Sequence, residues 1–116
     1  MENTLILKIG GEGGSIKFFQ INEYFTYTTN ESALMDLLNK DDKEGIEFKS
    51  KSKLFDTFDL AMESMQDRYP IFRLYPLEIN NEFKQRINKY YRGFLLKNKK
   101  DEICRNNQWE RILSSP

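Results

Sequence analysis

The chain has 116 residues, of which 31% are charged and 14% aromatic, and this length and composition predict one folded domain spanning residues 1–116. The formal net charge is zero, which excludes a protein steered to nucleic acid or to a membrane by a strong overall charge. The chain has no histidine and a single cysteine, Cys104, which excludes histidine-based catalysis and an internal disulfide.

The zero net charge hides an asymmetry along the chain. Residues 1–50 contain nine acidic and five basic residues, whereas residues 51–116 contain nine acidic and thirteen basic residues. Ordinary surface variation is one interpretation. The alternative is a surface with an acidic end formed by the sheet and a basic end formed by the helices.

The first third of the chain predicts an antiparallel meander of three strands. Residues 4–9, 16–21 and 24–29 are rich in β-branched and aromatic residues. The first two runs are joined by Gly10-Gly11-Glu12-Gly13-Gly14-Ser15, whose glycines suit a hairpin turn or bulge. This turn is not a phosphate loop, because no Lys-Ser/Thr pair follows it and it leads into a strand rather than a helix.

The next segment is ambiguous until it reaches another strand. Residues 32–38 suit one or two helical turns, and an irregular apolar segment is the alternative. Residues 46–49 alternate between apolar and charged residues, a pattern that predicts a fourth strand at a sheet edge.

Helices are predicted to fill the second half of the chain. Apolar residues recur at spacings of three and four over residues 54–69, which predicts a helix capped by Ser50 or Ser52 and ended by Pro70. Residues 70–77 have a proline near each end and are predicted to cross the core as an extended segment, not as a central strand. Asn80 is predicted to cap a second helix that includes residues 83–95. A shorter third helix is predicted over residues 102–113, before a loose tail at residues 114–116.

These elements predict an α+β fold. An antiparallel sheet of about four strands is covered on one face by two main helices, with a third short helix, because the apolar stripes of the helices have only the sheet to pack against. The uncovered face of the sheet is then the expected partner surface.

Residues with partner-binding chemistry lie mainly in predicted turns. The acidic side chains in the turns of the first half suit contact with a basic partner site, since complementary charge speeds association; they are Glu12, Asp41, Asp42 and Glu44. No residue pattern predicts a metal site, a cofactor site or a catalytic residue. The second helix carries basic residues interleaved with tyrosines. This basic face can be interpreted as a solvated surface, a partner-binding face or a nucleic-acid patch.

Three blocks, in their order and spacing, resemble a known family. They are the glycine turn continued by Ile16, then Asn30-Glu31-Ser32 with Leu37-Leu38-Asn39-Lys40-Asp41-Asp42, then Tyr69-Pro70 with Leu74-Tyr75-Pro76-Leu77-Glu78-Ile79 and Asn80-x-x-Phe83. Over residues 5–95 the chain resembles a family of small, uncharacterised bacterial proteins. Those proteins begin with a strand, a G-G-E-G-G-S turn and a second strand, and later carry Tyr-Pro-Trp and Leu-x-Pro-Leu-x-Val-His-Pro-x-Phe segments.

The chain departs from the family pattern at two places. Ile71 stands where the family has tryptophan, and Asn80-Asn81 stand where it has His-Pro. The resemblance implies no activity for this chain. A site that depends on the family's histidine is not expected here, because this chain lacks that residue. In size and single-domain form the chain is similar to cytoplasmic immunity proteins, which neutralise toxins of neighbouring bacteria, and this is an analogy.

Three functional hypotheses follow. The first is a non-catalytic protein-binding module, of the immunity or antitoxin type, whose partner is a toxin domain. The second is a small enzyme that uses carboxylates and tyrosines, and the third is nucleic-acid binding through the basic second helix. The absence of a signal-peptide pattern and of a long apolar run predicts a cytoplasmic protein that does not enter a membrane.

Overall fold

Four antiparallel strands form one sheet in the order β3-β2-β1-β4 in the computed structural model, which describes residues 3–11, 14–30, 54–98 and 106–114. The strands are β1 (Asn3–Gly11), β2 (Gly14–Ile21), β3 (Tyr24–Thr28) and β4 (Tyr75–Ile79). Three α-helices accompany them within these residues: α1 (Phe58–Arg68), α2 (Lys84–Asn98) and α3 (Asn106–Ser114). The predicted α+β class and the N-terminal meander are confirmed.

The glycine-rich turn joins β1 to β2 as a hairpin. The two strands remain paired up to Gly11 and Gly14, so only residues 12 and 13 connect them, and both lie outside the described residues. Gly14 has a φ of 139°, a backbone conformation that side chains with a Cβ rarely adopt. Asn22, in the turn before β3, has a φ of 55°, which asparagine tolerates better than most residues.

A bulge in β1 brings an extra apolar side chain into the core. The register between β1 and β2 shifts between Leu5 and Leu7, so Ile6 is an additional residue on β1. Ile6 and Leu7 are both fully buried in the main core cluster. The largest buried side chains of this cluster include Phe18 from the sheet and Phe72, Tyr91 and Trp109 from the second half of the chain, so the helices cover one face of the sheet, as predicted.

The opposite face of the sheet is not the open surface that the sequence led us to expect. Phe19, Ile21 and Thr26 are outside the main core cluster, and their side chains are only 3%, 2% and 0% exposed. The prediction of a partner surface on this face is therefore wrong at these three positions.

Helix α1 begins later than its apolar stripe suggests. Its N-cap is Thr57, whose side chain accepts a hydrogen bond from the Leu60 N–H at 3.2 Å, so the predicted cap at Ser50 or Ser52 is wrong. Phe55 belongs instead to the sheet, since its N–H and carbonyl bond to Phe25 of β3 at 2.7 and 2.9 Å. The helix ends before Pro70, as predicted.

The segment predicted to be an extended crossover contains more regular structure. A 3₁₀ turn covers Ile71–Arg73, and β4 follows and pairs with β1. Pro76 is compatible with this strand because β4 lies at the edge of the sheet, where a missing N–H is tolerated. The fourth strand predicted at residues 46–49 lies outside the described residues.

The C-terminal helices largely follow their predictions. A 3₁₀ turn at Asn81–Phe83, capped by the Asn80 side chain, leads into α2. Gly93 lies inside α2 without ending it. Helix α3 continues to Ser114, so this residue is not part of a loose tail, and residues 115–116 lie outside the described residues. Among the residues described, no helix is long and apolar enough to cross a membrane.

Candidate functional site

The four acidic residues predicted to contact a partner are all outside the described residues. Glu12 lies between β1 and β2, and Asp41, Asp42 and Glu44 lie between β3 and α1. Their role therefore remains a prediction.

An open cleft of about 430 Å³ lies where β3, the start of α1 and the first half of α2 meet. It has aromatic side chains and charges of both signs. Its lining residues are Phe25, Asp56, Thr57, Phe58, Asp59, Arg86, Lys89 and Tyr90. A cleft of this volume is large enough to receive side chains of a partner or a small ligand.

The floor of the cleft is a packed aromatic group centred on Phe58. The Phe58 ring meets Phe25 edge-on, with centroids 6.0 Å apart, and stacks on Phe83 at 5.8 Å. Tyr90 lies beside it, with a centroid distance of 6.2 Å. Because Phe25 and Phe58 are also part of the core cluster, the floor is held by the same contacts that hold the fold.

The basic side of the cleft comes from α2. The Arg86 guanidinium carbon lies 5.3 Å from the Phe58 ring centroid and 5.6 Å from that of Phe83, a cation–π arrangement that restricts its orientation. Lys89 follows three residues later, on the same side of the helix. Both side chains are exposed, and neither forms a salt bridge with any described residue.

The acidic side of the cleft comes from the start of α1. Asp56 and Asp59 are both exposed. Burial raises the pKa of the Tyr90 phenol, and the hydrogen bond and negative charge of Asp59 raise it further, with a smaller effect from Glu63. Tyr90 therefore stays protonated at neutral pH.

The basic face predicted on α2 is divided between different roles. Arg92 pairs through both guanidinium nitrogens with Glu110 of α3, with Nη2 and Oε2 2.9 Å apart, and this hydrogen bond raises the pKa of Arg92. Arg86 and Lys89 share the cleft with Asp56 and Asp59. The two tyrosines also separate, since Tyr91 is fully buried and Tyr90 lines the cleft. The helix therefore does not present a continuous basic surface.

Asn80 connects the 3₁₀ turn before α2 to the bulge of β1 through hydrogen bonds. Its Oδ1 accepts from the Glu82 N–H at 2.9 Å, and its Nδ2 donates to the Leu5 carbonyl at 3.2 Å. Its own N–H donates to the Ile6 carbonyl at 2.8 Å. In this chain the position has a structural role that a cap prediction alone did not reveal.

Metal binding receives no support from the described residues. They contain no group of three or more His, Cys, Asp or Glu side chains placed to hold an ion. Of the lining residues, Asp56 and Asp59 are the only two carboxylates, and catalytic and structural metal sites generally need more ligands than this.

Comparisons with protein-family models, curated protein sequences and solved structures gave no match to this chain. The class of this protein is therefore defined by its fold alone, which is an α+β domain with a four-stranded antiparallel sheet. Its candidate site is the cleft with charged sides and an aromatic floor.

The sequence contained only partial evidence for this cleft. Asp56 and Asp59 lie early in the helix predicted over residues 54–69, and Arg86 and Lys89 are spaced to lie on one side of the next helix. Nothing local indicates that both pairs meet over Phe25, because their meeting depends on how the two helices pack on β3.

Proposed function

We propose that this protein is a non-catalytic binding protein whose partner is another protein, and that it acts in the cytoplasm as an inhibitor of the immunity or antitoxin type. The observation that carries the proposal is the open cleft between α1 and α2, with its rigid aromatic floor and exposed charges. Tyrosine and arginine beside an apolar pocket are the residues that most often dominate protein–protein binding energy. The immunity or antitoxin type is proposed on a further ground, which is the analogy in size and single-domain form.

The state of the ionisable groups favours binding over catalysis. A general acid or base works best with a pKa close to the operating pH. The environment moves the pKa of Tyr90 upward, away from that range. The described Asp and Glu side chains are all exposed or partly exposed, so none is held in the dry environment that usually prepares a carboxyl group for proton transfer.

A small enzyme is the second candidate, because Asp56, Asp59 and Tyr90 do share one cleft. The two candidates differ in the expected ionisation of Tyr90. An absorbance titration of the wild type against Tyr90→Phe resolves the ionisation of this one phenol. A pKa at or below the ordinary value of a tyrosine would favour the enzyme.

Nucleic-acid binding through α2 ranks third. Glu110 pairs with Arg92, and Asp56 and Asp59 lie near Arg86 and Lys89, which reduces the positive potential that phosphate binding needs. A gel-shift titration at low salt tests this candidate, since phosphate contacts produce an affinity that falls steeply with added salt.

The proposed function is tested by affinity purification from the native cell, followed by reconstitution with the purified candidate partner. We expect one protein to be enriched by the tagged wild type and to form a complex of defined stoichiometry. The variant Lys89→Glu should weaken this complex, and Lys97→Glu, which makes the same charge change at the far end of α2, should not. If no protein forms a stable complex with the wild type, the proposal is wrong.

A further inference from the structure

We propose that the cleft binds a dipolar segment of the partner, meaning a segment that carries a basic group, an apolar side chain and an acidic group in succession. The basic group faces α1 and the acidic group faces α2. This inference rests on the proposed function and specifies the chemistry of the partner at the same site. It follows from the equal numbers of acidic and basic side chains that line the cleft, and from their placement on different helices.

The two signs of charge in the cleft come from different helices. Asp56 lies just before α1 and Asp59 lies in its first turn, whereas Arg86 and Lys89 both belong to α2. All four side chains are exposed. Among the described residues, no ion pair joins the acidic side of the cleft to the basic side. Both sets of charges are therefore available to an occupant of the cleft.

This arrangement disfavours an occupant that carries charge of only one sign. A purely acidic segment would be attracted by α2 and repelled by Asp56 and Asp59, and a purely basic segment would be attracted by α1 and repelled by Arg86 and Lys89. A segment with one charge of each sign can place each charge beside the helix of opposite sign, so both contacts are attractive. The same complementarity fixes the direction in which the segment lies.

The basic side of the cleft is oriented before an occupant arrives. The guanidinium of Arg86 lies over the Phe58 and Phe83 rings, with its carbon 5.3 and 5.6 Å from their centroids. An oriented guanidinium can bind both oxygens of one carboxylate, and less side-chain entropy is lost when its rotamer is already restricted. Arg86 is therefore the group best placed to receive the acidic end of the segment.

The aromatic floor suits one apolar group between the two charges. Phe25 and Phe58 are 9% and 4% exposed, so the floor offers ring edges instead of a broad apolar surface. Tyr90 lies half-buried beside Phe58. A single aromatic or aliphatic side chain can cover these edges while the charged groups on either side of it reach the two helices.

The inference can be tested with four small peptides that differ only in their end charges. Gly-Phe-Gly carries an ammonium group, an aromatic ring and a carboxylate, with its end charges up to about 10 Å apart. N-acetylation removes the positive charge, C-terminal amidation removes the negative charge, and both together give a neutral peptide. We would titrate the protein with each peptide at about pH 6.5, where a terminal amine is protonated, and follow backbone amide signals by NMR.

The wild type should distinguish the four peptides by affinity and by position. We expect saturable shifts confined to residues 55–60 and 84–90, with the doubly charged peptide binding about two- to fivefold more tightly than either singly charged peptide. Acetylation should reduce the shifts mainly at residues 56–59, and amidation mainly at residues 86–89. Equal binding of all four peptides, shifts spread over the surface, or the reverse pattern of losses would overturn the inference.

Paired substitutions then identify the groups responsible. Asp56→Asn with Asp59→Asn should remove the effect of acetylation on affinity and preserve the effect of amidation. Arg86→Met with Lys89→Gln should do the opposite, and the methionine keeps an apolar stem over the rings. Lys97→Gln, at the far end of α2, is the control and should change neither effect. If both pairs of substitutions act alike, or if the control acts as they do, the inference is wrong.

The partner complex separates this inference from the proposed function. If a protein partner binds and neither pair of substitutions changes its affinity, the partner uses another surface, so the inference is wrong while the proposed function stands. If the peptides bind with the expected preferences and both pairs of substitutions weaken the partner complex, the dipolar segment of the partner is located in this cleft.

Discussion

Trp109 is a fully buried side chain that packs α3 onto the rest of the domain, and its removal has a predictable cost. Trp109 is fully buried, and its Nε1–H donates to the Leu74 carbonyl at 2.9 Å. Its ring packs against Phe72, with centroids 4.9 Å apart, and stacks on Tyr91 at 6.2 Å. It therefore combines aromatic burial with a hydrogen bond to a carbonyl that lies just before β4.

Two substitutions separate these contributions. Trp109→Phe keeps an aromatic ring but leaves the Leu74 carbonyl without this donor, and we expect the free energy of unfolding to fall by about 1–3 kcal/mol. Trp109→Ala also loses the ring and leaves a cavity, and we expect a loss of about 3–5 kcal/mol. Domains of this size are stable by roughly 5–15 kcal/mol, so the alanine variant should lose a large fraction of its stability, and most of it if the domain lies at the lower end of this range.

The measurement is urea unfolding followed by far-ultraviolet circular dichroism, with Leu96→Ala as the control. Leu96 is 78% exposed, so its truncation should change stability by less than about 0.5 kcal/mol. If Trp109→Phe is as stable as the control, the hydrogen bond to Leu74 contributes nothing measurable. If Trp109→Ala is also within 1 kcal/mol of the wild type, α3 is not held by this residue and the reasoning is refuted.

Three further predictions concern single contacts. Asn80→Ala should cost about 1–3 kcal/mol in urea unfolding, because it removes both a helix cap and a bond to β1, and a loss no greater than that of Leu96→Ala would contradict this. Tyr27 and Ser64 share a hydrogen bond of 2.8 Å between β3 and α1. A double-mutant cycle with Tyr27→Phe and Ser64→Ala should therefore give a coupling free energy of about 0.5–1.5 kcal/mol. If the two losses in the free energy of unfolding simply add, this hydrogen bond does not contribute to stability. Folding raises the pKa of Tyr90 above its unfolded value of 10.0. The protonated phenol therefore contributes fully to the free energy of unfolding below that pH, and this contribution decreases as the pH rises above it. Wild-type stability should thus fall more steeply than that of Tyr90→Phe between pH 10 and 12 in alkaline unfolding titrations, and parallel curves would contradict the prediction.

The parts of the fold that could be predicted from the sequence are those whose determinants are local. The three-stranded meander follows from alternating β-formers and short turns, and its order in the sheet is the order of the chain. Helix α2 follows from a capping residue, Asn80, and a regular apolar stripe. In both cases, residues close together in the chain decide the structure.

The parts that could not be predicted depend on distant pairings. β4 becomes a strand because β1 offers it an edge, and Pro76 argues against a strand when the segment is considered alone. Phe55 continues the helical periodicity of α1, but its backbone bonds with Phe25 decide its structure. The cleft depends on three elements at once, so its residues had no common signal in the sequence.

The two outer strands of this sheet have a consequence for how the protein behaves at high concentration. Unpaired strand edges can recruit other chains and start fibre growth. Beside β3, the Phe55 backbone occupies part of the edge, and in β4 the ring of Pro76 provides no N–H for an incoming strand. Within the described sheet, the same proline that makes β4 hard to recognise from sequence therefore removes one hydrogen-bond donor from an outer strand, and a β-branched residue in its place would satisfy strand propensity while restoring that donor.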